Sequence, residues 1–157
     1  MRQMSFELPE LDRKKTQAAV EAALEKYRIF KYVAFEEREA SITASYSDMP
    51  RGNTNVTSDQ TGNIATYNVD TQAARKTYCE RIERAVRRLP RMERFLIEER
   101  YMSDDAEYTT DLKMYSFKFQ PPISERTYSK IRWKAFYKFA LAMDIAVEKE
   151  VKNDDTD

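Results

Sequence analysis

Residues 89–143 read LPRMERFLIEERYMSDDAEYTTDLKMYSFKFQPPISERTYSKIRWKAFYKFALAM, and this stretch decides the fold. It has the pattern of a helix, a second short helix, a turn and a long basic helix. Pro90 sits at a helix start, where its missing N–H costs nothing. The helix that follows buries Met92, Phe95, Leu96 and Tyr101 on one side. A polar turn over residues 104–111 leads into a short helix at 109–117, which Pro121-Pro122 brings to an end. Ile123 then supplies an apolar contact and Ser124 an N-cap, so a last helix is expected to start there and continue to about residue 149.

On a helical projection of about 100° per residue, Tyr128, Ile131, Ala135, Phe139, Ala142 and Met143 form a core stripe. Arg126 and Lys130 point the other way, with Lys134 near them and Thr127 and Ser129 on the flanks. Polar side chains in the first turns of such a helix have the reach and donor chemistry to read base edges and phosphates in a major groove. The residues expected to contact DNA are therefore Ser124, Glu125, Arg126, Thr127, Ser129, Lys130 and Lys134. Trp133, Tyr137 and Leu141 form a second apolar line away from the core stripe, and a helix with two apolar faces is usually sandwiched. That line is a candidate protein interface for the N-terminal helix, for another subunit or for the helix over residues 70–88.

Working outward, residues 11–39 hold no Gly or Pro and are rich in Ala, Glu, Lys and Arg, which predicts a long helix. Leu11, Ala18, Ala22, Ile29 and Val33 share its expected inner face. Both glycines, Gly52 and Gly62, fall in the polar stretch 41–68, which reads as a flexible linker. Asp70 is placed to cap the next helix, with Tyr78, Ile82, Ala85, Val86 and Leu89 inward and Arg81, Arg84, Arg87 and Arg88 on its flanks. Cys79 reads as a small core residue beside Tyr78 and Ile82. The expected class is all-α. A helical segment at 1–40 and a linker at 41–69 precede a helix-turn-helix domain at 70–150, and an acidic tail at 151–157 follows.

Composition narrows the function classes. With one cysteine and no histidine among 157 residues, no internal disulfide and no His-dependent triad or Cys/His zinc site can form. The chain also lacks a Gly-rich phosphate loop and a convincing nucleophile–base pair, so no enzyme, cofactor or metal is expected. No apolar run approaches a membrane span, and residues 1–7 carry no signal-peptide core, which points to the cytoplasm. Net charge is zero, but its distribution is not even. Residues 113–138 carry seven Lys/Arg against Glu125 alone, while residues 144–157 carry six acids against two lysines. Patches matter more than totals for phosphate attraction.

Leu89-Pro90, Met92-Glu93-Arg94, Ile97, Arg100-Tyr101, Asp111-Leu112-Lys113-Met114-Tyr115, Ile123-Ser124-Glu125-Arg126-Thr127-Tyr128 and Lys134-Ala135-Phe136 occur in an order that resembles the ArpU family of phage transcriptional regulators. The family's C-terminal half is similar to the helix-turn-helix of sigma-factor region four. The likeness extends more loosely to Leu11-Asp12-Arg13-Lys14-Lys15-Thr16 and the linker. It implies a sequence-specific DNA-binding activator of phage or prophage late genes, such as those for packaging and lysis, in the cytoplasm of a Gram-positive host. Double-stranded promoter DNA is the implied partner, with host RNA polymerase and a second copy of the chain as further candidates. One departure is Tyr115-Ser116-Phe117-Lys118-Phe119-Gln120-Pro121-Pro122, which is longer than a tight helix-turn-helix turn. Two alternatives stand beside this reading: a small-terminase-like packaging subunit, and a protein-interaction factor that binds no DNA.

Overall fold

The computed structural model describes residues 8–44 and 59–151, and the side chains of residues 8–34 and 70–151. The described residues are all-α. Five helices run in the order α1 (Arg13–Ala44), α2 (Asp59–Arg87), α3 (Arg91–Ile97), α4 (Asp111–Lys113) and α5 (Glu125–Met143). α3 continues into a π-helical turn, Glu98–Met102, and α4 into another, Met114–Lys118, with a single 3-10 turn at Ala106–Tyr108 between them. Among the described residues no helix is long and apolar enough to cross a membrane.

α1 starts where Asp12 accepts a hydrogen bond from the Lys15 backbone N–H at 3.0 Å, and without Gly or Pro it runs for 32 residues. Its inner face is Thr16, Val20, Leu24 and Tyr27. The expected face was largely wrong. Leu11 is buried, but Ala18, Ala22 and Ile29 are exposed and Val33 is half-buried. The face that packs is instead Thr16, Val20, Leu24 and Tyr27, at helical spacing, while Ile29 and Tyr32 stay exposed; each fully buried large apolar side chain is worth roughly 1.5–3 kcal/mol. Val20, Leu24 and Tyr27 join Cys79, Ile82 and Val86 of α2, Leu96 and Ile97 of α3, and Ala135, Phe136 and Phe139 of α5 in one core. Cys79, as expected, is buried and free.

α2 begins at Asp59, not at Asp70. Once nucleated, a helix gains one hydrogen bond per residue, and Gly62, at about 1 kcal/mol, does not stop it. Residues 45–58, the middle of the expected linker, and 152–157, most of the expected acidic tail, lie outside the described residues. Met92 is 47% exposed and Phe95 half-buried, while Leu96, Ile97 and Tyr101 are buried as a π-helical turn re-registers the end of this helix.

The last helix is shorter than expected. It ends at Met143, where Asp144 takes the left-handed conformation with φ 58° and its N–H closes onto the carbonyls of Ala140 and Leu141. The chain beyond then runs back along the start of α1. Asp12 N–H donates to the Val147 carbonyl at 2.8 Å, Lys149 N–H to the Glu10 carbonyl at 3.0 Å, and Leu11 faces Glu148 in an isolated antiparallel bridge. The buried Thr16 hydroxyl completes the join, accepting from Val147 N–H at 3.2 Å and donating to its carbonyl at 3.3 Å. Tertiary pairing of the backbone here outweighs local helix preference.

Side-chain bonds also hold α1 to α2. Tyr27 donates to Glu83 at 2.9 Å, Lys31 pairs with the same carboxylate at 2.7 Å, and the Tyr78 hydroxyl reaches the Ala23 carbonyl at 2.9 Å. Burial would raise the Glu83 pKa, but hydrogen bonds from Lys31 and Tyr27, with the charges of Lys31 and Arg87, outweigh it and hold the carboxylate below its ordinary range. A pKa depressed in the folded state gives stability that is present above the ordinary carboxylate pKa and lost as pH falls through the depressed one. Urea denaturation from pH 6 down to pH 3 is expected to show a smaller acid-induced loss of stability in Glu83→Gln than in the parent chain. Identical pH profiles would contradict this pairing.

Candidate nucleic-acid interface

Ser124 starts α5 by accepting the Thr127 N–H at 3.1 Å, and its hydroxyl donates to Thr127 Oγ1 at 2.9 Å. The helix therefore begins at the cap that the sequence predicted. The expected connection of residues 115–122 is shorter than it looked, because Tyr115 to Lys118 belong to the π-helical end of α4. The true connection, residues 119–124, is closed by Phe119 N–H to the Met114 carbonyl at 2.9 Å and Ile123 N–H to the Tyr115 carbonyl at 3.0 Å. Its Gln120–Pro121 peptide is cis.

Asp111, in the first turn of α4, fixes the angle between α4 and α5. Its Oδ1 accepts from the Tyr128 hydroxyl at 2.8 Å and from Arg100 Nε at 3.0 Å, and its Oδ2 accepts from Arg132 at 2.9 Å. Thr110 caps the same turn by accepting the Lys113 N–H at 3.2 Å. Tyr128 is fully buried, with Tyr115 at 5.7 Å and Phe119 at 6.2 Å between ring centroids. Burial, and then the hydrogen bond and charge of Asp111, push the Tyr128 phenol above its ordinary pKa. It therefore stays a neutral donor to that carboxylate.

With α5 held in this way, Ser124, Glu125, Arg126, Thr127, Ser129, Lys130 and Lys134 are all exposed. Arg126, Lys130 and Lys134 fall four residues apart and form one line along the helix. Among the described residues none of the three makes an ion pair. Their neighbours in the basic stretch are different: Arg132 is taken by Asp111, and Lys138 bonds both oxygens of the buried Glu93 at 3.0 Å. Pairing thus separates the structural cations of α5 from those left to solvent. Ser124 and Thr127 are occupied chiefly with each other at the cap.

The core stripe of α5 is Tyr128, Ala135, Phe136, Phe139, Ala140 and Met143. Phe136 and Ala140 were not foreseen, Ile131 is half-buried, and Ala142 is exposed. The second apolar line is divided. Trp133 and Tyr137 are half-buried and meet the start of α1. Arg13 lies over the Trp133 ring at 4.9 Å, and the Tyr137 hydroxyl donates to the Pro9 carbonyl at 3.2 Å. Leu141 remains 39% exposed. The N-terminal helix is thus the neighbour of Trp133 and Tyr137.

The contacts of Arg13 and Asp111 were not foreseen from the sequence. Asp111 looked like one acid in a polar turn, and only folding brings Arg100, Tyr128 and Arg132 to it. Arg13 has no local signal at all, since its partner lies at the other end of the chain.

The chain is similar to the uncharacterized phage-related protein Lin1259/Lin1739 of Listeria innocua, at 28% identity over 144 residues that cover 92% of this chain and 97% of that protein. No family profile and no solved structure matches.

Removing Asp111 strands Arg100, Arg132 and Tyr128 together. Asp111→Ala is expected to cost about 1–3 kcal/mol, toward the lower end because the site is partly open to water. Tyr128→Phe, which deletes a single hydrogen bond, is expected to cost about 0.5–1.5 kcal/mol. Urea titration followed by circular dichroism checks the order. A cost for Asp111→Ala below that of Tyr128→Phe would contradict the role given to the carboxylate.

Proposed function

We propose that this chain is a DNA-binding transcriptional regulator of phage or prophage origin, with α4 and α5 acting as a helix-turn-helix. In this reading the first turns of α5 enter the major groove. The observation that carries it is the exposed line of Arg126, Lys130 and Lys134, without acidic partners among the described residues, on a helix whose N-terminus is capped and braced. A helix held in one orientation presents these side chains on one face, where contacts to phosphates could fix its register on a duplex. The similarity to a phage-related protein supports the origin. The ordered resemblance to the ArpU family supports a role in activating late genes.

Roles follow from chemistry. Arg126, nearest the start of α5, has the bidentate fork that suits guanine O6 and N7. Lys130 and Lys134 are point charges for phosphates, and Ser129 adds a neutral donor. Selection of bound duplexes from a randomised pool, followed by binding titrations at several salt concentrations, tests the assignment. Arg126→Ala is expected to relax preference at one base position by about 1–3 kcal/mol. Lys130→Ala is expected to weaken all duplexes alike and to reduce the salt slope by about 0.9. Equal affinity of the parent chain for every duplex at moderate salt would refute a sequence-specific regulator.

A further inference from the structure

Arg13, Arg126, Ser129, Lys130, Trp133 and Lys134 line one groove between the first turn of α1 and the outer face of α5. From this juxtaposition we infer that Arg13 is a further DNA-binding residue, and that the groove beside Trp133 holds backbone phosphates of the duplex at the flank of the site read by α5. The inference rests on the DNA-binding reading above and extends it to a helix more than a hundred residues away in sequence.

Four cations line this groove and no acid does. Gathering like charges without counter-charges destabilises the free protein, and an anion in the groove relieves that repulsion. Among the described residues, Arg13 makes no ion pair. Its guanidinium lies over the Trp133 ring at 4.9 Å. Stacking of this kind uses the face of a planar guanidinium and leaves the N–H fork at its edge for a phosphate. Stacking also limits the rotamers of Arg13, so less freedom is lost when it binds.

The shape of the charge points to a polymer in place of a single anion. Arg126 and Lys134 lie eight residues apart on α5, with Lys130 midway, a rise of roughly 12 Å. That length exceeds one phosphate and suits successive phosphates of one strand. Ser129 places a hydroxyl donor in the same groove. Arg13 enters from a different helix and so broadens the line into a trough, which fits a strand running past the end of the recognition surface.

Trp133 is the single tryptophan of the chain and therefore reports on this groove directly. The test titrates the full chain with the duplex selected above and follows both anisotropy of a label on the DNA and Trp133 emission, across a series of NaCl concentrations. Duplex is expected to change Trp133 emission. Arg13→Gln and Lys134→Gln are each expected to reduce the slope of log affinity against log salt by about 0.9, and Arg13→Lys is expected to recover it. Recovery by lysine separates a lost phosphate contact from a displaced α1, because lysine restores the charge without the stacked plane. Lys76→Gln, on an exposed turn of α2 with Glu80 at 4.0 Å, is expected to leave the slope unchanged. An unchanged slope in Arg13→Gln, with the parent binding and Lys134→Gln reducing the slope, would overturn the groove while leaving the DNA-binding reading in place. An equal loss in Lys76→Gln would overturn it too, by showing a diffuse charge effect. Failure of the parent chain to bind any duplex would overturn both.

Discussion

The three hydrogen bonds converging on Asp111 set the geometry on which the rest of the C-terminal half depends. Arg100 comes from the π-helical end of α3, and Tyr128 and Arg132 from α5, so one carboxylate in α4 ties three elements together. Neutral and charged donors meet it at once. Tyr128 anchors the inner side of α5 among aromatic rings, and Arg132 clamps the same helix one turn further on. The Ser124 cap fixes where the helix starts, and Asp111 fixes how it is turned about its axis. A side chain four residues along must then fall on the same line, which is how Arg126, Lys130 and Lys134 come to share a face.

The same interactions explain why a chain of zero net charge can present a strongly basic surface. Arg132 and Lys138 are neutralised by Asp111 and Glu93 on the inner flanks of α5. These pairs attach the helix to α4 and α3, while Arg126, Lys130 and Lys134 have no ion pair among the described residues. Charge is therefore sorted by role: paired cations hold the helix and unpaired ones face outward. At the other end of α5 the chain folds back on α1 through Thr16 and Val147, which brings Arg13 beside Trp133. Packing at one end of the molecule thus shapes the proposed binding face.

Local signals accounted for much of this and long-range ones for the rest. Ser124 as a cap, Tyr128, Ala135 and Phe139 as a core stripe, and a long N-terminal helix (expected over 11–39, observed from Arg13) were legible because capping and helical spacing act within a few residues. The inner face of α1 differs from the expected one because Leu11, Ala18, Ala22, Ile29 and Val33 also fall at helical spacing, while the face that packs is set by which side chains α2 and α5 cover. The end of α5 at Met143 was missed because nothing local marks it. The chain beyond Asp144 is held to the start of α1 more than 130 residues earlier in sequence, where Asp12 N–H and the Thr16 hydroxyl both donate to the Val147 carbonyl. The exposed positions of the candidate site were readable from periodicity. Which cations are free was not, since that depends on partners such as Asp111 and Glu93 that only the fold supplies.

Backbone amide chemical-shift mapping of the full chain with a duplex at moderate salt tests the central claim most directly. The account predicts the largest shifts in residues 124–134, together with the start of α1 around Arg13, and small shifts across the arginine-rich face of α2. Shifts concentrated on Arg81, Arg84, Arg87 and Arg88, with α5 unaffected, would contradict it.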